Sequence, residues 1–357
     1  MAKVLIFSDF HLHNWTYGAT YENGWNSRLV DQKHVADQLV EVANRHRVDY
    51  VVFCGDLFHT HGKVESGPLA VASDLFSRLR AGNRGVFALV GNHDLGREST
   101  SIDWLANLGV TVVKDIYAET IGDEPKMGFV AYCHNEQQFK NRIAELKKHD
   151  LQYWFLHQGV ESVPVGSDFV IPNEFFSPED LPTNSRFSMA FTGHYHSHRW
   201  ARDRIVVVGS PMQFTWSDKG DLRGCIVLDT WNNMWQFEVL KSPRFTTLDG
   251  ALNPNFPIYG LIGREHLVRE GNQIQDCFVK VTEEIPPIFI EDVRQKLYAA
   301  GARSVEFSYK QTPAKIGMAT NVFDMEHLIE RYTLNNKVPE LARTIREQIR
   351  QGIYETP

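Results

Sequence analysis

Five short polar segments carry side chains that could do chemistry together. They are Asp9-Phe10-His11, Gly55-Asp56, Gly91-Asn92-His93-Asp94, His157, and Gly193-His194-Tyr195-His196. Carboxylate and carboxamide oxygens mixed with imidazoles, without thiolates, suit manganese, iron or zinc. In an extended segment residues i and i+2 point the same way. On that reading Asp9 with His11, and His194 with His196, each present two ligands to one side. A carboxylate between two cations can bridge them and reduce their mutual repulsion. Asp56 is the best candidate for the bridge, because Gly55 lets the backbone approach closely. Asn92 can offer a neutral carbonyl oxygen. Taken singly, each of these residues also serves as an ordinary turn or surface group. Their joint, ordered occurrence is what points to a metal centre.

The elements that must position them are short apolar runs. Val4–Phe7, Tyr50–Phe53, Val86–Val90, Phe129–Tyr132, Tyr153–Leu156, Met189–Phe191, Ile205–Val208 and Cys225–Leu228 read as buried strands from their length and β-branched content. Each polar segment directly follows such a run, and open α/β sheets place their sites at strand ends. Val35, Leu39 and Val42 share one face of a predicted helix over 28–46, and Phe139, Ile143 and Leu146 do so over 135–149. Alternating strands and helices imply layered sheets covered by helices, an α/β fold. The later runs lack helices between them, so that half is expected to pair antiparallel. Past Leu240, Lys241-Ser242-Pro243-Arg244 reads as a connector. Cys277–Val281, Ile290–Ala300 and Ser304–Tyr309 then read strand, helix, strand, a small α+β unit. Leu328, Tyr332, Leu341, Ile345 and Ile349 suggest a helical tail.

The chain has 357 residues, 43% of them hydrophobic and 23% charged, which allows a large buried core. No apolar run approaches the roughly 18–20 residues that span a bilayer. The N-terminal run lacks the length and small-residue cleavage site of a signal peptide, so a cytoplasmic protein without a membrane partner is expected. Cys54, Cys133, Cys225 and Cys277 form no C-x-x-C pair and read as reduced core thiols. The formal net charge of −7 argues against a generally basic nucleic-acid-binding surface. A local basic groove, bound cations or a basic partner could still supply the attraction.

The ordered pattern D-x-H, G-D, G-N-H-D, H, G-H-x-H resembles the calcineurin-like metallophosphoesterase superfamily. The resemblance implies a two-sheet sandwich flanked by helices. It implies one metal held by Asp9, His11, Asp56 and His196, and a second held by Asp56, Asn92, His157 and His194. His93 would then sit beside the scissile phosphate as an acid or charge stabiliser, with Asp94 fixing its orientation.

Gly55-Asp56-Leu57-Phe58-His59 and Gly209-Ser210-Pro211-Met212-Gln213 resemble the SbcD-type DNA-repair nucleases in particular. That narrower resemblance implies manganese-dependent exonuclease and endonuclease action on DNA by a two-metal mechanism, with His59 as a further catalytic histidine. It also implies a dimer bound to a coiled-coil ATPase of the structural-maintenance type. The domains would be a nuclease domain over 1–240, a DNA-binding capping domain over 241–320, and a helical ATPase-docking tail over 321–357. The rival readings are a phosphoprotein phosphatase or cyclic-nucleotide phosphodiesterase with the same metals, and a non-catalytic scaffold. His13, His61 and His198 are expected at the rim. The loop carrying Trp15, Tyr17, Tyr21 and Trp25 is either a satellite hydrophobic cluster or an interface. Arg199, Arg202 and Arg204 are either a phosphate patch or a solvated turn.

Overall fold

A computed structural model describes residues 2–120, 126–165, 169–171, 174–248, 274–282 and 290–308. The tail expected over 321–357 lies outside the described residues, as does much of the capping segment. The strands in chain order are β1 (Lys3–Phe7), β2 (Tyr21–Glu22), β3 (Trp25–Asn26), β4 (Tyr50–Phe53), β5 (Gly85–Leu89), β6 (Thr111–Val113), β7 (Ile116–Thr120), β8 (Lys126–Val130) and β9 (Tyr153–Leu156). They continue with β10 (Pro164–Val165), β11 (Phe169–Val170), β12 (Met189–Thr192), β13 (Arg199–Arg202), β14 (Ile205–Val207), β15 (Gly224–Asp229), β16 (Met234–Val239), β17 (Arg244–Leu248), β18 (Cys277–Val281) and β19 (Ser304–Phe307). The α-helices are α1 (Ser27–His46), α2 (Ser66–Arg80), α3 (Glu136–Leu146) and α4 (Ile290–Ala299).

Two six-stranded sheets form the body, ordered β16-β15-β1-β4-β5-β6 and β13-β14-β12-β9-β8-β7. Their central strands are apolar at nearly every position because both faces are covered. In β1 and β4, Leu5, Phe7, Val51 and Phe53 pack under α1 and α2, whereas Val4, Ile6 and Val52 face the second sheet. In the second sheet Phe129, Tyr153 and Phe155 face inward, and Val130, Trp154 and Leu156 pack beneath α3. The result is a helix–sheet–sheet–helix sandwich, as the sequence implies.

The strand pairing of the later half differs from expectation. β8, β9, β12 and β14 run parallel to one another, whereas β7, β13, β15 and β16 and the β10–β11 ribbon pair antiparallel. The reason lies in the connections. The chain returns from β9 to β12 through a long excursion with no α-helix among its described residues, and such a crossover permits parallel pairing as well as a helix does.

α1 starts at Asn26, whose side-chain oxygen accepts from the backbone N–H of Arg28 at 2.8 Å and of Leu29 at 3.3 Å. β17, β18 and β19 form a parallel three-stranded sheet with its own core, which includes Val279, Val293, Leu297 and Val305. Arg244 of the expected connector already belongs to β17. This small sheet docks on α1 through Arg303, which makes a bidentate pair with the buried Asp31 at 2.8 and 3.3 Å.

Candidate metal centre

All five polar segments lie just past the C-terminal ends of β1, β4, β5, β9 and β12. The first three strands are adjacent and parallel in one sheet, and the last two are adjacent and parallel in the other. Their ends therefore open onto one cleft.

The segments after β1 and β4 continue side by side. Asp9 N–H donates to the Gly55 carbonyl at 2.9 Å, His11 N–H to Asp56 at 3.1 Å, and Leu12 N–H to Leu57 at 2.8 Å. The backbone is not extended here. Asp9, His11, Asp56 and His194 have φ of 52°, 44°, 62° and 83°. The i, i+2 spacing thus marks residues that do converge, but through a different geometry from the one expected. Left-handed turns, not strand alternation, bring the paired side chains together, and such strain gathers where a site over-determines the backbone. Two motif glycines have steric reasons. Gly55 has φ of 99°, and a Cβ there would run into the His157 ring. A Cβ on Gly91 would lie 2.5 Å from the Asp56 nitrogen and against its carboxylate.

Ligand atoms of Asp9, His11 and His196 lie within 4.8 Å of one another, and so do those of Asp9, Asp56 and His157. Asn92 Oδ1 stands 3.0 Å from His157 Nε2 and 2.9 Å from His194 Nδ1. Asp56 Oδ2 is 3.4 Å from His157 Nε2 and 3.8 Å from His11 Nε2. All seven candidate ligands are thus brought together, with Asp56 and Asp9 between two histidine sets.

The donor chemistry fits divalent cations. Nε2 of His11 and Nε2 of His196 face each other at 3.0 Å, and Nδ1 of His11 has no hydrogen-bond partner among the described residues. Burial holds the His11 pKa well below its usual range, and His196 adds to the effect. Burial opposes ionisation of Asp56, but His157 and then His11 hold its carboxyl well below the usual range. Burial would likewise lower His157, yet Asp56 and then Asp9 push it up to about 9. Anionic oxygens and bare nitrogens converging in a buried site call for positive charge that protons supply only partly.

His93 sits beside this set, its ring 4.7 Å from that of His11. Its Nδ1 lies 2.6 Å from the His59 carbonyl. His59 contributes that carbonyl, and its ring, pushed down to about 4 by burial and by His13, lies 5.6 Å from His93. Asp94 is placed differently from the expectation that it steers the His93 ring. Its buried carboxylate accepts from the backbone N–H groups of Asp56, Leu57 and Gly91 at 2.9, 3.0 and 3.0 Å. It therefore ties two ligand loops together and orients His93 only through the backbone.

Several residues gain roles that the sequence left open. His61, exposed, stacks on His93 with centroids 4.5 Å apart. His198 is not at the rim: it stacks on Phe237 at 3.9 Å, and its Nδ1 lies 3.0 Å from the Val207 carbonyl. Arg204 spends its guanidinium on the carbonyls of Phe187 and Pro182, a structural use. The aromatic loop divides. Trp15 stacks on Phe214 next to His59, and Tyr17 packs against Phe245 and Phe278, while Tyr21 and Trp25 stay exposed. Asp218 and Arg223, which no motif marked, are buried against His196.

The calcineurin-like phosphoesterase family model matches residues 2–244. The chain belongs to the calcineurin-like phosphoesterase family. It is 27% identical over 187 residues to a putative phosphoesterase, 078R, of Invertebrate iridescent virus 3, covering 50% of this chain and 51% of that protein. This chain therefore spans about half the length of that relative. It is 22% identical over 327 residues to one component of the nuclease SbcCD of Bacillus subtilis, covering 77% of this chain and 79% of that one. Among solved structures, a dimetal phosphatase from Danio rerio is similar with a TM-score of 0.42 and 13% identity, over 63% of this chain and 91% of its own. In this member of the family the convergent Asp, His and Asn side chains are candidate ligands for divalent cations. No described helix is long and apolar enough to cross a membrane.

Proposed function

We propose that this phosphoesterase is a metal-dependent DNA nuclease that hydrolyses phosphodiesters, with manganese as its working ion. The observation that carries the reading is the reach of one similarity. The alignment to the SbcCD nuclease component covers 77% of this chain, more than the family match to residues 2–244 can hold. It therefore extends beyond the metal centre, which any phosphoesterase of this family could share.

Asp9, His11, Asp56 and His196 would hold one cation, and Asp56, Asn92, His157 and His194 the other. Such a pair supplies charge to the nonbridging phosphate oxygens and makes a water nucleophile available near neutral pH. The chain's own groups do the rest. Asp94 keeps the two ligand loops in register through three backbone hydrogen bonds. His93, with its Nδ1–H donated to the His59 carbonyl, keeps Nε2 for the leaving 3′ oxygen, where as the doubly protonated imidazolium it would donate a proton or offset charge. His59 and His61 pack on His93 and limit its rotation.

A homodimer and a coiled-coil ATPase complete the proposal, with residues 321–357 as the docking segment. An ATPase partner would also help a chain of net charge −7 hold DNA. The test compares turnover of end-labelled duplex and single-stranded DNA with that of a small aryl phosphodiester, with and without manganese. Manganese-dependent cleavage of DNA is expected. Rapid turnover of the small ester with inert DNA would establish the other phosphoesterase reading, which the viral relative supports.

A further inference from the structure

His194 and His196 stand two residues apart, yet they turn different nitrogens inward. His194 presents Nδ1 to Asn92 Oδ1 at 2.9 Å, whereas His196 presents Nε2 to His11 Nε2 at 3.0 Å. A neutral imidazole carries one proton, so it can ligate only through the nitrogen that is bare. His196 must therefore keep its proton on Nδ1, and something must hold it there. The corresponding group for His157 is the Cys54 carbonyl, 2.5 Å from Nδ1.

We infer that Asp218 is the positioning residue that fixes the tautomer of His196, with Arg223 as its counter-ion and the second half of the grip. Asp218 Oδ1 lies 3.2 Å from His196 Nδ1. It is 3% exposed, so water does not compete for this contact. Its other oxygen, Oδ2, accepts from the backbone N–H groups of Phe214 and Thr215 at 2.9 and 3.0 Å, which leaves Oδ1 aimed at the ring. Arg223 Nη2 donates to Oδ1 at 3.2 Å and to the Asp218 carbonyl at 3.1 Å. Its Nη1 donates to the main-chain carbonyl of His196 and, at 2.8 Å, to Ser210 Oγ. The buried pair thus holds His196 by ring and by backbone. A buried ion pair is a poor device for stability alone, since desolvating both charges offsets most of their attraction. As an orienter of a ligand imidazole it has a use, and groups of this kind commonly set metal affinity by about 10–100-fold.

The inference rests on the metal-centre reading but not on the choice of DNA as substrate. The discriminating variant is Asp218→Asn beside Asp218→Ala, titrated with manganese in calorimetry after chelator treatment. The asparagine oxygen can replace Oδ2 on the two backbone donors. Its amide then points –NH2 at His196 Nδ1 and drives the proton to Nε2, the nitrogen needed for the cation. A merely structural role would make Asn the milder change. A tautomer-fixing role makes Asn no better than Ala, with one of two manganese equivalents weakened by about 10–100-fold and the other retained. Unchanged affinity for both equivalents in Asp218→Asn would overturn the inference while leaving the metal centre intact. Absence of manganese uptake by the unmodified protein would overturn both. Imidazole 15N shifts of the unmodified, metal-free chain give a readout that needs no variant. His196 should carry its proton on Nδ1, and a proton on Nε2 would refute the assignment.

Discussion

The Nε2 atoms of His11 and His196 face each other at 3.0 Å, with an Asp56 oxygen 3.8 Å from the first. One proton can sit between the two nitrogens, and it can serve only one of them as a bound hydrogen. A cation that enters this gap binds the folded chain and finds no such site in the unfolded one. By mass action it stabilises the fold by about 2.7 kcal/mol at a hundred times its Kd. The melting midpoint in manganese is expected to exceed that in chelator by about 4–5 °C, on a scale of roughly 1.3–2 °C per kcal/mol for a chain or domain of this size. His11→Ala should remove most of that difference. Superimposable melts of the unmodified protein with manganese and with chelator would contradict the assigned ligands.

The metal-free protein should weaken as pH rises above 7. His157 is pushed up to about 9 from 6.5: burial opposes the shift, but Asp56 and Asp9 outweigh it. Its protonated form therefore adds stability that is complete below about pH 6.5 and lost as pH climbs through 9. Asp94 is pushed up to about 7 from 3.8 by burial and by Asp56, so its contribution is complete below about 4 and lost through 7. Both losses have the same sign. Asp56, held low, gives up its own contribution only in acid, outside this window. His11 and His59, held low, act in the opposite sense below about pH 6.5. Urea midpoints in chelator should thus fall from pH 7 to 9, and His157→Gln should flatten that fall. A metal-free protein that gains stability between pH 7 and 9 would refute the charge assignment of this pair.

Asp94→Ala should destabilise the fold more than its distance from the phosphate suggests. The substitution strands the backbone N–H groups of Asp56, Leu57 and Gly91 in a buried place. Each unsatisfied donor costs about 1–3 kcal/mol, less what water recovers. A loss of several kcal/mol is expected, together with weaker metal uptake, because the ligand loops after β4 and β5 lose their tie. Equilibrium denaturation of the metal-free variant measures the first effect directly. A change below about 1 kcal/mol, the smallest cost of even one stranded donor, would mean that the carboxylate is not the tie.

The convergence of the seven candidate ligands was legible because metal chemistry restricts residue type at a few positions, and because each position follows an apolar run. The strands were legible for a related reason: burial on both faces makes Tyr50–Phe53 and Tyr153–Leu156 apolar throughout. What escaped depends on distance in space without a pattern along the chain. Nothing around Asp218 marks it as a partner of His196, and only the packing of the segment after β14 brings them together. Asp94 follows His93 in sequence, which suggests a partnership between them. An adjacent side chain can point elsewhere, however, and here it points at the backbone of the neighbouring loop. The left-handed turns at Asp9 and His11 have no signature either, because Asp and His, though enriched in that region, adopt it in only a small share of their occurrences. The parallel run of β12 beside β9 was hidden because the described residues of its crossover hold no α-helix of the kind that usually announces one.

Substitution of His93 and of Asp56 should separate chemistry from binding. Asp56 lies between the two histidine sets, within 3.4 and 3.8 Å of one nitrogen from each. Asp56→Ala is expected to lose metal, and with it all hydrolysis. His93 contacts the same set by its ring but has Nδ1 committed to the His59 carbonyl, and its backbone N–H donates to Asp56 Oδ1 at 2.8 Å. That last bond belongs to the main chain, so His93→Ala keeps it and leaves Asp56 in place. Metal content of His93→Ala should therefore remain near that of the unmodified protein. Its turnover should fall about a hundredfold to a thousandfold, the usual cost of removing one preorganised stabiliser of a developing charge. The fall should be in kcat, since a group that acts at the leaving oxygen stabilises the transition state more than the bound substrate. A substrate with a better leaving group, such as an aryl phosphodiester, should lose less than DNA, because it needs less protonation at that oxygen. Metal analysis of both variants, paired with kcat on the two substrates, checks each step. Equal loss on both substrates would place His93 at the nonbridging oxygens. Loss of metal in His93→Ala would make it a ligand and remove it from the chemistry.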